Sequence, residues 1–353
     1  MVLFTVEDIP TPVPSGRNTH YDSAYCMVRT EDNTVLVGPR DETRSWAWSS
    51  DTLRLVDGKI EVSGVSPLPP RSTLLGVAAG HAVYGSISDR DRVSIDRVEV
   101  SKVPTNPDKP WLEWPLSRLS GGKAGGFCCN PYTARWLIER GGPLPEVDGK
   151  LLLTGGRFHE VERPKRGRGK GRYIAVDPYQ DQDRKRGTAF MAWLIDPQAQ
   201  KWESLPDCPV SLSNHYSATV NGRVHYVYET THVTYTPPPI DGESVGEGEC
   251  PVSGWRTEDP LPQHLGLRGC GVGCKVSGNH TLVVGRHLVM VRECRGEGTD
   301  SGKVALVALD TVSGDCEVLE PTLPSYETGV MVNDDTALVV GKDGFACLLH
   351  FDV

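Results

Sequence analysis

The chain lacks what a membrane protein, a secreted disulfide scaffold or a nucleic-acid surface would need. No stretch of 18 consecutive apolar residues occurs in its 353, so no membrane-spanning helix is expected. The opening MVLFTVEDIP has no basic n-region and carries Glu7 and Asp8, so neither a signal peptide nor a transit peptide is expected. Positive charge is in the minority, 37 Lys and Arg against 46 Asp and Glu for a net of −9, which argues against general nucleic-acid binding. Hydrophobic residues make up 38%, a little low, as short half-buried strands with many turns would give.

Catalytic signatures are equally sparse. No Gly-x-Ser-x-Gly elbow is present. Gly269–Cys274 reads Gly-Cys-Gly-Val-Gly-Cys and misses the last glycine of a dinucleotide fingerprint. Lys123, within the glycine-rich Ser120–Gly126, lacks the context of a phosphate loop. Ten cysteines are present, but in a long chain for which no secretory leader is expected they read as reduced thiols. Cys270 and Cys274, with His264 nearby, have no second cysteine pair to complete a zinc site. Hence neither a metal nor a cofactor is expected.

What the chain does have is glycine, proline and repetition. It holds 38 Gly and 27 Pro, as suits turn-rich β structure. Six times a short apolar strand, a tight turn and a second apolar strand recur: Ala24–Gly38, Leu74–Gly85, Leu144–Gly156, Tyr216–Tyr228, Val272–Gly285 and Thr328–Gly341. Their second strands end in steps of 47, 70, 73, 57 and 56 residues, and the step from Gly341 through the chain ends back to Gly38 is 50. Units of this size stack around a common axis as propeller blades. Phe345–Phe351 ends the last unit one strand short, and Val2–Val6 supplies that strand from the other end of the chain. Pairing them closes the ring and removes the sheet edges. The expectation is one all-β domain over 1–353, a six-bladed β-propeller with insertions at about 159–187 and 235–251. An open two-sheet sandwich is the competing reading. A seventh blade within Gly121–Gly142 also stays open, with Phe127–Cys129 and Arg135–Ile138 as its strands.

Leu194-Ile195-Asp196-Pro197, then Lys201-Trp202-Glu203-Ser204-Leu205-Pro206, then Asn214-His215-Tyr216 resembles the kelch repeat. The pattern is an Asp-Pro turn, a Trp-bearing strand, Leu-Pro, and a polar entry to the next blade. Gly155-Gly156 is the only complete double glycine at a second-strand end, so the likeness is degenerate. The resemblance implies a propeller and fits an interaction module; it assigns no chemistry.

In a four-stranded blade the loops entering strand 1 and leaving strand 2 share one face near the axis. That face is expected to gather His20 and Tyr21 with His215 and Tyr216, two His-Tyr steps in equivalent positions that suit acid/base work. Arg40, Arg157, His159 and Arg286 are expected beside them as ligand-binding groups, with Tyr326, Lys342 and Asp343. Repeat-entry residues that merely satisfy turns would look the same. The basic run Arg163–Arg172, continued by Arg184–Arg186, should be a solvated insertion. Tyr235–Pro251, Pro-rich and then acidic, is expected to leave a second strand and face it across the channel mouth.

The resulting functional expectation is a binding or scaffold module for a protein or peptide partner, held through the loop face. The alternative is a small-molecule enzyme of lyase, isomerase or cyclase type with its site in the axial funnel. A cytoplasmic monomer is expected, with nuclear import through the basic loop 163–172 also open.

Overall fold

The computed structural model describes residues 2–9, 25–39, 51–63, 72–87, 93–100, 117–119, 143–154, 157–159, 186–188, 192–210, 215–238, 254–265, 267, 281–293, 303–326, 328–341 and 345–352. Among them the chain is all β, with one 3-10 turn at Gln263–Leu265, and no helix long and apolar enough to cross a membrane.

Twenty-four strands form six four-stranded antiparallel sheets, and two more make a separate ribbon. Blade 1 runs β2 (Tyr25–Arg29), β3 (Thr34–Pro39), β4 (Asp51–Val56), β5 (Lys59–Ser63). Blade 2 runs β6 (Ser72–Ala78), β7 (His81–Ile87), β8 (Val93–Glu99), β9 (Ser117–Leu119). Blade 3 runs β10 (Glu146–Val147), β11 (Lys150–Thr154), β14 (Ala192–Asp196), β15 (Lys201–Leu205), interrupted by the ribbon β12 (Arg157–His159) and β13 (Arg186–Thr188). Blade 4 is β16 (Tyr216–Val220), β17 (Arg223–Tyr228), β18 (Thr231–Thr236), β19 (Gly254–Thr257). Blade 5 is β20 (Thr281–Val284), β21 (His287–Glu293), β22 (Val304–Asp310), β23 (Cys316–Leu323). Blade 6 is β24 (Thr328–Met331), β25 (Thr336–Val340), β26 (Ala346–Asp352), with β1 (Leu3–Asp8) as its outer strand.

The ring closes as the sequence predicts. β1 pairs antiparallel with β26 from Leu3↔Asp352 to Asp8↔Cys347. Each blade then touches the next: β2 meets β24 and β6, β6 meets β10, β10 meets β16, β16 meets β20, and β20 meets β24. The core lies in these seams rather than within any one sheet. Between blades 5 and 6 it comprises Leu282, Val289, Leu306, Val339 and Leu349, with Val2 and Phe4 of β1. Phe4 packs on Phe351 at a ring separation of 5.8 Å.

Local chemistry explains the hairpins. Asn221-Gly222 joins β16 to β17 with φ of 50° and 71°, the left-handed pair that a two-residue turn matching strand twist requires. Asp196 caps the turn after β14 by accepting the Ala199 amide at 2.7 Å. Where the seams meet the turns, side chains stitch neighbouring blades. Arg97 of blade 2 donates to the carbonyl of Pro197 in blade 3, and Thr219 of blade 4 to that of Glu146.

Several strand assignments shift. In blade 1 the third and outer strands are β4 and β5, joined through Asp57-Gly58 with positive φ; the expected Ser45–Ser49 lies outside the described residues. The outer strand of blade 2 is β9; the expected Trp111–Leu116 lies outside the described residues. In blade 5, Thr281–Val284 is the first strand, not the second, because His287–Glu293 pairs beside it through the Gly285-Arg286 turn. Thr231–Thr236 is a full third strand of blade 4, so the acidic connection begins after Thr236. It leaves a third strand and returns to β19, which puts its ends opposite the ribbon β12–β13. The described ends of the two connections thus lie at opposite ends of the ring, not on one face as expected. Gly121–Gly142 lies outside the described residues.

Candidate functional site

Strand direction separates two ends of the ring. At one, tight turns join strands 1 and 2: Ala79-Gly80, Asp148-Gly149, Asn221-Gly222 and Gly285-Arg286. At the other lie the entries to strand 1 and the exits from strand 2, called here the loop face. The candidate site is built there.

His215 and Tyr216 stand at the start of β16, and consecutive strand residues point to opposite faces. Tyr216 turns to the blade 4–5 seam. It is 1% exposed, packs with Val227, Leu288 and Met290, and donates its hydroxyl proton to the Val291 carbonyl. His215 turns the other way and meets Tyr226 edge-on, with centroids 5.0 Å apart. Tyr226 belongs to the blade 3–4 seam with Val147, Leu194 and Cys208. The pair therefore diverges instead of presenting two groups to one ligand.

The His215 environment is polar yet closed. Its Nδ1, the Tyr226 hydroxyl and the Thr154 hydroxyl are enclosed without hydrogen bonds of ordinary geometry among the described residues. Thr154 nonetheless lies close enough to Tyr226 to oppose part of the upward shift that burial imposes on that phenol. Burial holds the His215 pKa down at about 4, so the imidazole is neutral at pH 7. Burial also lifts the neighbouring Cys208 thiol to about 11, which leaves it an unreactive thiol.

Tyr326 precedes β24 and is buried in the blade 5–6 seam. Burial, with Cys347 and Tyr216 nearby, pushes its phenol above the usual range. Its ring fills the space where Gly329 has no side chain: a Cβ at Gly329 would clash with the Tyr326 hydroxyl. Gly329→Ala is therefore expected to lower stability by about 1–3 kcal/mol, measured by urea denaturation. An unchanged midpoint would mean that the ring moves freely.

Arg286 departs from expectation. It sits in the turn between the first two strands of blade 5, on the tight-turn end, because Thr281–Val284 is the inner strand there. Its guanidinium pairs with Asp310 at 2.6 Å. Burial alone would raise the Asp310 pKa. The amides of Val312 and Ser313 and the Arg286 charge outweigh it and hold the carboxylate below its ordinary value. Arg157 and His159 lie in β12 on the loop face, paired with β13. His20, Tyr21, Arg40, Lys342 and Asp343 lie outside the described residues, as do Cys270 and Cys274.

One cluster had no warning in the motif reading. His225 and His232, 3% and 5% exposed, stack at 5.2 Å with Nδ1 of the first 3.0 Å from Nε2 of the second. Cross-strand pairing explains it: His225 faces Thr234 while His232 faces Val227, so the two histidines are diagonal neighbours on one side of the sheet. The only available signal was their matching phase in β17 and β18. Burial, then the neighbouring His232 and Arg223 charges, depress the His225 pKa to about 3. Burial also lowers that of His232, against the pull of Glu258. Glu258 accepts from Thr234 at 2.7 Å and pairs with Arg256 at 3.2 Å.

Among the described residues no three His, Cys, Asp or Glu side chains converge as metal ligands, and Cys26, Cys208, Cys316 and Cys347 form no disulfide. No family model matches the sequence, and no curated protein matches it. The chain is a β-propeller.

Proposed function

We propose that this propeller, kelch-like in its repeats, is a binding module that holds a protein or peptide partner on its loop face. The observation that carries this reading is an asymmetry between the two ends of the ring. The turns between strands 1 and 2 are of two to four residues in every blade. The entries and exits at the loop face include the long connections 120–145 and 155–191 and the segment 258–280. The tight-turn end carries shorter ones, 100–116 and 237–253; rigid sheets that present their longest connections at one end suit recognition, since loops carry contacts while the scaffold fixes their ends. Blade 3, which bears the kelch-like Asp-Pro turn at Asp196-Pro197, also bears the longest exit. The divergence of His215 and Tyr216 into separate seams favours binding over a funnel catalyst built on that pair.

Photo-crosslinking tests the reading. A crosslinking residue at Thr230 on the loop face is expected to capture a discrete partner in cells, and one at Gly58 on the tight-turn end is not. Capture from Gly58 alone would reverse it. Native mass spectrometry of the purified chain addresses the enzyme alternative: a retained small molecule, displaced by no peptide, would support a funnel site instead.

A further inference from the structure

Three buried polar atoms meet in the seam between blades 3 and 4, and none has a hydrogen-bond partner among the described residues. They are Thr154 Oγ1, His215 Nδ1 and Tyr226 Oη. Thr154 ends β11 and, by alternation along the strand, shares a face with Leu152. Leu152 packs in the same seam cluster as Tyr226, so the threonine and the tyrosine face each other between the blades. His215, at the entry to β16, closes a third side with its ring edge-on to Tyr226 at 5.0 Å. Thr154 is 4% exposed and Tyr226 1%.

A buried hydroxyl or imidazole nitrogen without a partner forfeits the hydrogen bonds it made to water, and folded proteins rarely tolerate that. The protein groups in this seam supply no substitute. Thr154 and Tyr226 approach without a bond of ordinary geometry, and His215 Nδ1 bonds to neither. The chemistry of the three atoms matches one small molecule. Each hydroxyl can donate or accept, and a neutral imidazole with its proton on Nε2 presents a lone pair at Nδ1. Water has two donors and two acceptors. It can donate to His215 Nδ1 and Thr154 Oγ1 while accepting from Tyr226 Oη, which satisfies all three at once. Three polar partners are what an internal water typically has. The atoms are closed to solvent, which suits a trapped molecule, and an ion would find no opposite charge among them.

We propose that Thr154, His215 and Tyr226 form a binding site for one internal water molecule that ties blade 3 to blade 4. The site lies at the loop-face end of both blades, since β11 ends at Thr154 and β16 begins beside His215. The water thus fixes two of the strand ends that carry the loop face. His215 is less buried than its two partners, so its ring is the cover through which the water exchanges. One enclosed water solvates a charge far less than bulk solvent does, and the imidazole stays neutral at pH 7 beside it.

The test uses the full chain. A high-resolution crystal structure is expected to show one solvent peak within about 2.7–3.2 Å of all three atoms. Melting curves of Thr154→Val and His215→Phe give a second readout. No hydrogen bond joins these two residues, so a shared water is what couples them. Each substitution is expected to lower the melting temperature by about 1–3 °C. The double variant should lose less than the sum, because the first substitution already releases the water. The solvent peak in the unaltered protein needs no variant, so the experiment stays decisive if a substitution disturbs folding. A dry seam, a direct hydrogen bond between His215 and Tyr226, strictly additive losses, or a higher melting temperature for Thr154→Val would each overturn the proposal.

Discussion

Acidification from pH 7 to about pH 4 is expected to cost the folded protein roughly 6 kcal/mol, about 3 each from His215 and His225. Both are held neutral by burial, with pKa values near 4 and near 3 against an ordinary 6.5. A histidine whose folded pKa is depressed contributes nothing at high pH, where it is neutral in both states. As the pH falls below 6.5 the unfolded chain takes up protons that the folded one refuses, so stability drops steadily until the folded pKa is reached. His232, lowered for the same reason, acts in the same direction. Asp32 and Asp310, whose folded pKa values are depressed, lose their contribution only as the pH falls through the ordinary carboxylate range. The window from 6.5 to about 4.5 therefore belongs to the histidines. Since whole domains are stable by only about 5–15 kcal/mol, a large share of the stability is expected to be lost within this window. Urea midpoints measured from pH 7.5 down to 4.5 give the slope, and His215→Gln should flatten it by about half. A flat profile would show that these imidazoles reach water.

The second large effect concerns closure. Phe4→Ala is expected to destabilise the ring by about 3–5 kcal/mol, because its ring is 6% exposed and fills the blade 5–6 seam against Phe351. Leu3→Ala, one residue away but 48% exposed, should cost less than about 0.5 kcal/mol. The contrast matters more than either value. β1 joins blade 6 by backbone pairing along its whole length, and its amide at Val2 reaches Glu317 of blade 5 at 2.6 Å. Loss of Phe4 thus loosens two blades at once. Equal effects at positions 3 and 4 would argue that the strand contributes backbone pairing alone.

The hairpins were legible because local chemistry fixes them. Asn221-Gly222 can hold two left-handed residues, and Thr-Val-Leu-Val over 34–37 can bury both faces. Closure was legible because an incomplete last unit and an orphan first strand have complementary lengths. The strand count within blades was less so. A third strand such as Thr231–Thr236 follows its neighbour after only Glu229-Thr230, and reads as a continuation of the same apolar run. In blade 5, one glycine-ended strand was matched to the wrong partner, since either neighbour satisfies the same alternation. That single shift moved Arg286 from the loop face to the tight turns.

The amino-acid sequence on its own determined that this protein is a ring of β blades, because period, turn residues and apolar alternation are properties of neighbours along the chain. Tertiary structure decided which polar groups meet. His215 and Tyr216 adjoin in sequence and part into different seams, while His225 and His232 come within 3.0 Å through register. It also decided that the strand ends bounding the acidic connection, Thr236 and Gly254, lie at the other end of the ring from Thr154 and Ala192, which bound the basic one. Strand direction sets that, and composition carries no record of direction.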